Sequence, residues 1–191
     1  MFQLEGNLKF VNVNMAYLKC LHEVCNEVFY KPANYDNKPY LGILINNNGR
    51  KYVLPLTSAK EKHKSWKDSY SDRFLIYFIE PKSSISPQAI FVGTDDENMV
   101  KHIMSVIDIK KMIPVNDKVI SIVDINSHVD DSEEIEKYKD LMNKEYSFCI
   151  KIMDDILTKA SKIYDKQKAT GKVQMFACDF HKLEQVADEW S

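Results

Sequence analysis

Tyr40-Leu41-Gly42-Ile43-Leu44-Ile45-Asn46-Asn47-Asn48-Gly49-Arg50-Lys51-Tyr52-Val53-Leu54-Pro55-Leu56-Thr57-Ser58-Ala59-Lys60 is the stretch that decides how this chain folds. Two β-prone runs, Tyr40 to Ile45 and Tyr52 to Leu56, flank an Asn47-Asn48-Gly49 turn, which is the pattern of a β-hairpin. The returning run ends abruptly in two hydroxyls and a lysine, Thr57, Ser58 and Lys60. Antiparallel pairing brings the start of the first strand beside the end of the second, so Lys38 and Thr57 fall at the same open end.

Upstream, Leu8 to Val13 reads as a strand, and Asn14 stands where an N-cap would precede Met15, Leu18, Leu21, Val24 and Val28 at helical spacing. Lys31 to Pro39 is turn chemistry. Downstream, apolar runs at Phe74 to Ile79, Ala89 to Val92, Ile103 to Ile109, Met112 to Val115 and Val119 to Ile125 continue a series of short strands, although Asp96 to Val106 also allows a helical start. From Asp130 no Gly or Pro occurs until Gly171, and Ile135, Tyr138, Met142, Tyr146, Cys149, Met153, Ile156, Ala160 and Ile163 recur every three or four positions. This predicts a long amphipathic helix, broken at most once, with Asp131 and Glu134 as a capping box and Gly171 as its stop. A last short helix follows Asp179, with Leu183, Val186 and Trp190 facing in. The expected architecture is α+β: a small, strongly bent sheet or barrel over about 7–126, with an N-terminal helix and a helical region over about 130–191, all in a single domain 1–191.

The 191 residues are 45% hydrophobic and 28% charged, the composition of a soluble globular protein. No apolar run reaches the roughly 20 residues of a membrane span, and the N-terminus lacks the layout of a secretory signal, so a cytoplasmic location is expected. A formal charge of −2 argues against indiscriminate coating of nucleic acid and leaves room for a local basic site. Cys20, Cys25, Cys149 and Cys178 show no metal-site spacing and read as free thiols. The acidic block Asp130, Asp131, Glu133, Glu134 and Glu136 resembles hard-metal ligands only superficially, because it sits where acids favour a helix N-terminus. Neither a metal nor a cofactor is assigned.

Just past Thr57, Ser58 and Lys60 come Lys62, His63, Lys64, Ser65, Trp66 and Lys67. Cations, hydroxyls and flat rings together suit a phosphodiester, whose oxygens need donors and whose bases need surfaces. Cleaving RNA requires deprotonation of the 2′-OH, a proton for the 5′-oxygen, and donors to the charged phosphorane. Thr57, Ser58 and Lys60 can supply the last of these. Each residue also has a purely structural reading: a solvated turn for Thr57, Ser58 and Lys60, a half-buried pair around a solvated Lys38 for Tyr35 and Tyr40, an edge-of-core ring for Tyr17, and a solvated loop imidazole for His63.

With these residues in view, the chain resembles the ToxN/AbiQ family of type III toxin-antitoxin endoribonucleases. The likeness runs through Lys9-Phe10, Tyr17-Leu18-Lys19, Asn37-Lys38-Pro39-Tyr40-Leu41-Gly42-Ile43, Lys51-Tyr52, Pro55-Leu56-Thr57-Ser58-Ala59-Lys60 with His63, and Met112-Ile113-Pro114-Val115, and more loosely through the end of the chain at Cys178 and Leu183-Glu184. It departs in a longer N-terminus and a longer 66–104 stretch. The resemblance implies a Kid/PemK-like (SH3-like) β-barrel elaborated by helices. It also implies metal-independent RNA cleavage leaving a 2′,3′-cyclic phosphate and a 5′-OH, with cellular and phage RNA as substrate. As partner it implies a small structured RNA antitoxin with pseudoknot repeats, which binds across the site and closes several toxin copies into a ring.

By position, the resemblance makes Lys38, Thr57, Ser58 and Lys60 the catalytic set, with the assignment of general base and acid open among Lys, Tyr and His side chains. Tyr17 and Tyr35 are expected to orient RNA, and His63, Lys62 and Lys64 to contact it; Tyr35 stands one position closer to Lys38 than the family pattern. Two other readings remain: a barrel toxin of the same chemistry neutralised by a protein, and a non-catalytic RNA-binding module.

Overall fold

The computed structural model describes residues 1–31 and 39–190. Among them, ten strands form one antiparallel sheet and four α-helices pack against it, an α+β architecture. In chain order these are β1 (Gln3–Leu4), β2 (Phe10–Val13), α1 (Met15–Val24), β3 (Tyr40–Ile45), β4 (Lys51–Ser58), β5 (Ser69–Tyr70), β6 (Arg73–Pro81), β7 (Phe91–Gly93), β8 (Met99–Asp108), β9 (Ile113–Val115), β10 (Ile120–Ile122), α2 (Glu133–Lys151), α3 (Met153–Thr170) and α4 (Phe180–Glu189). The sheet runs β10-β2-β3-β4-β8-β6-β5, with β1 on β3, β9 on β4 and β7 on β8. The segment with an alternative helical reading is thus strand β8, and β1 was not foreseen.

The hairpin forms as its residues dictate. Asn46 Oδ1 accepts from the backbone N–H groups of Asn48 and Arg50, both at 3.0 Å, and Gly49 takes the left-handed conformation that closes the turn. Gly42, at φ +66°, bends β3 by a bulge between Leu41 and Leu44, which re-aims the strand entrance.

β4 changes neighbours along one edge. Lys51, Tyr52 and Val53 pair with Val115, Pro114 and Ile113 of β9, whereas Leu56, Thr57 and Ser58 pair with Ile107, Val106 and Ser105 of β8. Between them a 3-10 turn, Ile109–Lys111, loops out opposite Pro55, a residue with no N–H to leave unsatisfied.

α1 begins where expected: Asn14 Oδ1 accepts from Ala16 N at 2.9 Å and Tyr17 N at 3.2 Å, and Tyr17, Leu18 and Leu21 are buried. The long helix is two, parted at Ile152, and Gly171 ends the second in the left-handed conformation. The expected capping box gives way to Ser132, whose hydroxyl accepts from Ile135 N, because Asp131 is drawn instead to Lys139 at 2.7 Å. α4 is N-capped by Asp179 and buries Leu183 fully. It is tied to β4 by a buried polar cluster in which Tyr52 and Tyr164 donate to Glu184 Oε1 at 2.5 and 2.8 Å and Lys168 pairs with Oε2. Phe2, Tyr52, Tyr164 and Phe180 meet edge-on or tilted around that cluster at centroid distances of 5.3–6.1 Å.

Candidate active site

Thr57 and Ser58 are the last residues of β4, and Ala59 N still donates to Met104 O at 3.1 Å before the chain turns away. Lys60 then opens a 3-10 turn, Glu61–Ser65. Its backbone is clamped from both sides: His63 N donates to Lys60 O at 2.8 Å, and Lys60 N donates to His63 Nδ1 at 3.0 Å. The side chain of Lys60 is thereby launched from a fixed Cα into solvent beside the two hydroxyls.

Thr57, Ser58 and Lys60 border one cavity of about 270 Å³, and its opposite wall is the segment after α1, with Glu27 and Tyr30. Pro55, Leu56 and Tyr40 form an apolar floor. Lys111, from the looped-out turn, also enters the cavity; its ammonium lies 2.9 Å from Glu27 Oε2 and 4.7 Å above the Phe29 ring. His22 Nδ1 stands 2.8 Å from the Val28 carbonyl, which can only accept, so Nδ1 carries the proton and the wall is held by that bond. Burial pushes the Tyr40 phenol up, which keeps it protonated at neutral pH. Hydroxyl donors and cations of this kind, around a small concave site, suit a phosphate.

Of the expected site residues, Thr57, Ser58 and Lys60 come together at this cavity. Lys38 and Tyr35 lie outside the described residues; the described chain resumes at Pro39, and Tyr40 lines the cavity. Tyr17 does not reach the site: it is fully buried, donates to Pro114 O at 2.8 Å and packs edge-on against Trp190, so it stabilises the α1–α4 contact instead of presenting a hydroxyl to RNA. His63 is neither a solvated loop residue nor an outward contact. It is 3% exposed, its ring lies 4.5 Å from Trp66, and burial, then Lys62, Lys60 and Arg73, hold its pKa below the usual value, so it stays a neutral acceptor for Lys60 N–H. Lys62 is exposed, 5.5 Å over Trp66, and Lys64 pairs with Glu61 at 2.9 Å.

Lys111, Glu27 and Tyr30 were not anticipated. The signal for Lys111 was present: Lys110-Lys111 follows an apolar strand as Lys60 follows Leu56, ahead of Met112-Ile113-Pro114. Among the described residues no group of three His, Cys, Asp or Glu side chains is placed to hold a metal ion, and no helix is long and apolar enough to cross a membrane.

The comparisons with known proteins agree along nearly the whole chain. Two relatives are each called Endoribonuclease ToxN. The one from Bacillus thuringiensis subsp. kurstaki is 26% identical over 193 aligned positions, covering 97% of this chain and 86% of the relative. The one from Pectobacterium atrosepticum is 24% identical, covering 93% and 91%. A toxin solved in work on selective inhibition by a non-coding RNA pseudoknot superposes with a TM-score of 0.71 at 24% identity, over 97% of this chain and 98% of that one. AbiQ, a lactococcal anti-phage endoribonuclease of a type III toxin-antitoxin system, superposes at 0.64 and 21% identity, over 97% and 98%. These likenesses establish the fold. The model of the family described as toxin ToxN, type III toxin-antitoxin system, matches residues 9–188, and the chain belongs to that family.

Proposed function

We propose that this protein is the toxin of a type III toxin-antitoxin system, a sequence-selective endoribonuclease restrained by a small structured RNA and acting against phage by growth arrest. The observation that carries the reading is the convergence of Thr57, Ser58, Lys60 and Lys111 on one cavity in a chain of this family. In the proposed reaction the 2′-oxygen attacks the adjacent phosphorus and the 5′-oxygen leaves, giving a 2′,3′-cyclic phosphate and a 5′-OH. Thr57 and Ser58 donate to the non-bridging oxygens, where charge develops, and Lys60 with Lys38 neutralises it and takes part in proton transfer. In this scheme the protein's own donors suffice without a metal.

The antitoxin is proposed to be an RNA with pseudoknot repeats that covers this cavity and links several toxin copies in a closed ring in the bacterial cytoplasm. Support comes from the structural neighbour studied with an inhibitory RNA pseudoknot. We read β1, β2, β3, β4, β9 and β10 as a Kid/PemK-like core, a reading supported by the sharp bend at Gly42 and the partner change along β4. The chain as a whole is read as a single domain, since the Glu184 cluster fastens the helical region to β4.

RNA cleavage in EDTA by the wild type, Thr57→Ala and Lys60→Ala tests the reading. The wild type should cut and leave 5′-OH ends, with the variants slower by about a hundredfold or more. Wild-type protein that binds RNA without cutting it would overturn the enzyme, and unimpaired variants would overturn the site.

A further inference from the structure

The sheet face that carries Thr57 continues into a stack of planar groups that the proposed reaction leaves unused. Thr57 lies opposite Val106, and Val106 opposite Leu75, so these three side chains leave the same face. Arg73, two positions before Leu75, shares it. On this face Trp66 and Ala59 pack against Leu75, Ile103 and Val106, a small cluster separate from the main core.

On that support four planar groups follow one another outward. The His63 ring lies 4.5 Å from Trp66, the Arg73 guanidinium 4.0 Å from the Trp66 ring centre, and the same guanidinium 5.0 Å from the Tyr70 ring. Among the described residues Arg73 bonds through its edge to Asp72, Nη1 to Oδ1 at 3.3 Å, and its buried Nε finds no hydrogen-bond partner; its flat faces do the packing. Tyr70 ends the series 52% exposed. The short strand beneath it is pinned by Lys159, whose ammonium bonds Ser69 Oγ at 2.5 Å and Tyr70 O at 2.6 Å. Lys62 hangs over Trp66 at 5.5 Å. Three sheet spacings separate β5 from β4, roughly 14 Å, so the stack ends a short distance from the hydroxyls.

The geometry points to a second RNA subsite here: the open face of Tyr70, backed by Arg73 and Trp66, stacks an unpaired base outside the scissile phosphate. A rigid aromatic plane with cations at its side is what an unpaired nucleotide requires, since its base offers a π-face and its backbone negative charge. Stacking accepts every base, so this subsite supplies affinity and a path for the strand, with base identity read elsewhere. The ligand chemistry is the same whether the base belongs to a substrate strand or to a single-stranded loop of the restraining RNA. The inference rests on the proposed function for its setting.

The test uses the full chain with Tyr70→Ala, Tyr70→Leu and Tyr70→Trp. For a single-stranded RNA oligomer, Tyr70→Ala and Tyr70→Leu should raise KM about five- to a hundredfold at unchanged kcat, and Tyr70→Trp should restore it. A substrate dinucleotide, too short to reach Tyr70, should be cut equally by all. Inhibition by RNA copurified with the toxin, compared across the same variants, tells whether the restraining RNA uses the subsite as well. Separately, Trp190→Phe leaves Trp66 as the single indole, and its fluorescence should change on adding oligoadenylate or oligouridylate but not a blunt RNA duplex. That signal does not depend on cleavage, so it can survive failure of the enzyme reading. Oligomer cleavage indifferent to Tyr70, or equal Trp66 signals from duplex and single strand, would overturn the subsite alone.

Discussion

Lys111 and Glu27 form an ion pair of 2.9 Å on the wall of the cavity that holds Thr57 and Ser58. The carboxylate takes up part of the charge that an entering phosphate would use. Glu27→Gln should therefore bind single-stranded RNA about tenfold more tightly at low salt and Lys111→Ala about tenfold more weakly, with both differences shrinking as salt rises. Filter binding across a salt series measures this. Unchanged affinity in both would remove Lys111 from the site.

His63 acts through Lys60. His63→Phe retains a ring against Trp66 but gives Lys60 N–H no acceptor, which should cost about 1 kcal/mol of stability and lower cleavage more than RNA binding. Because burial, Lys62, Lys60 and Arg73 depress the folded pKa of His63, the stabilisation it provides is present above the ordinary imidazole range and is lost as pH falls. The pH profile of cleavage should accordingly lose its acid limb, or part of it, in His63→Phe.

Tyr52→Phe removes one of two phenols that donate to Glu184 Oε1. Burial works to raise the Glu184 pKa, but Lys168, Tyr52 and Tyr164 together hold it below the usual range, so the cluster's contribution is lost on acidification. Urea unfolding at neutral pH should show a loss of about 2 kcal/mol, and kcat under native conditions should be unaffected, since Thr57 lies at the other end of β4.

Asp108 behaves in the opposite sense. Burial pushes its carboxyl up to about 6 against the pull of Lys110 and Lys111, and among the described residues Oδ1 has no hydrogen-bond partner. A raised folded pKa gives stability that is complete below the unfolded value and is lost as pH climbs through the folded one. Asp108→Asn should thus be more stable than the wild type at pH 8, by up to roughly 2–3 kcal/mol, with the gap closing toward pH 4. Denaturation midpoints at both pH values test the sign.

Much of this was legible from local chemistry. The Asn46–Gly49 turn, the Asn14 cap, the Gly171 stop and the polar end of β4 are written in residues whose preferences the fold does not override. What escaped depended on distant partners. Periodicity says that Tyr17 sits on a helix near a buried face, but only the approach of Pro114 and Trp190 makes it a core residue. His63 is the exception: its partners Lys60 and Trp66 stand only three positions away, but only the closing of the Glu61–Ser65 turn brings them against the ring. Lys111 was overlooked because its turn looks like a strand interruption until β8 and β9 are laid along the same edge of β4.

That shared edge bears on when the protein becomes dangerous during its own synthesis. The emerging hairpin carries Thr57 and Ser58 early, yet their strand end is paired by Val106 and Ser105, and the cavity gains Lys111 only after β8 has been laid down. Long-range pairing of this sort forms late. A ribosome that has made only the first half of the chain therefore holds the hydroxyls without Lys111 and without the β8 pairing that fixes their strand end, and its own message is exposed to a finished cavity only once most of the chain has emerged.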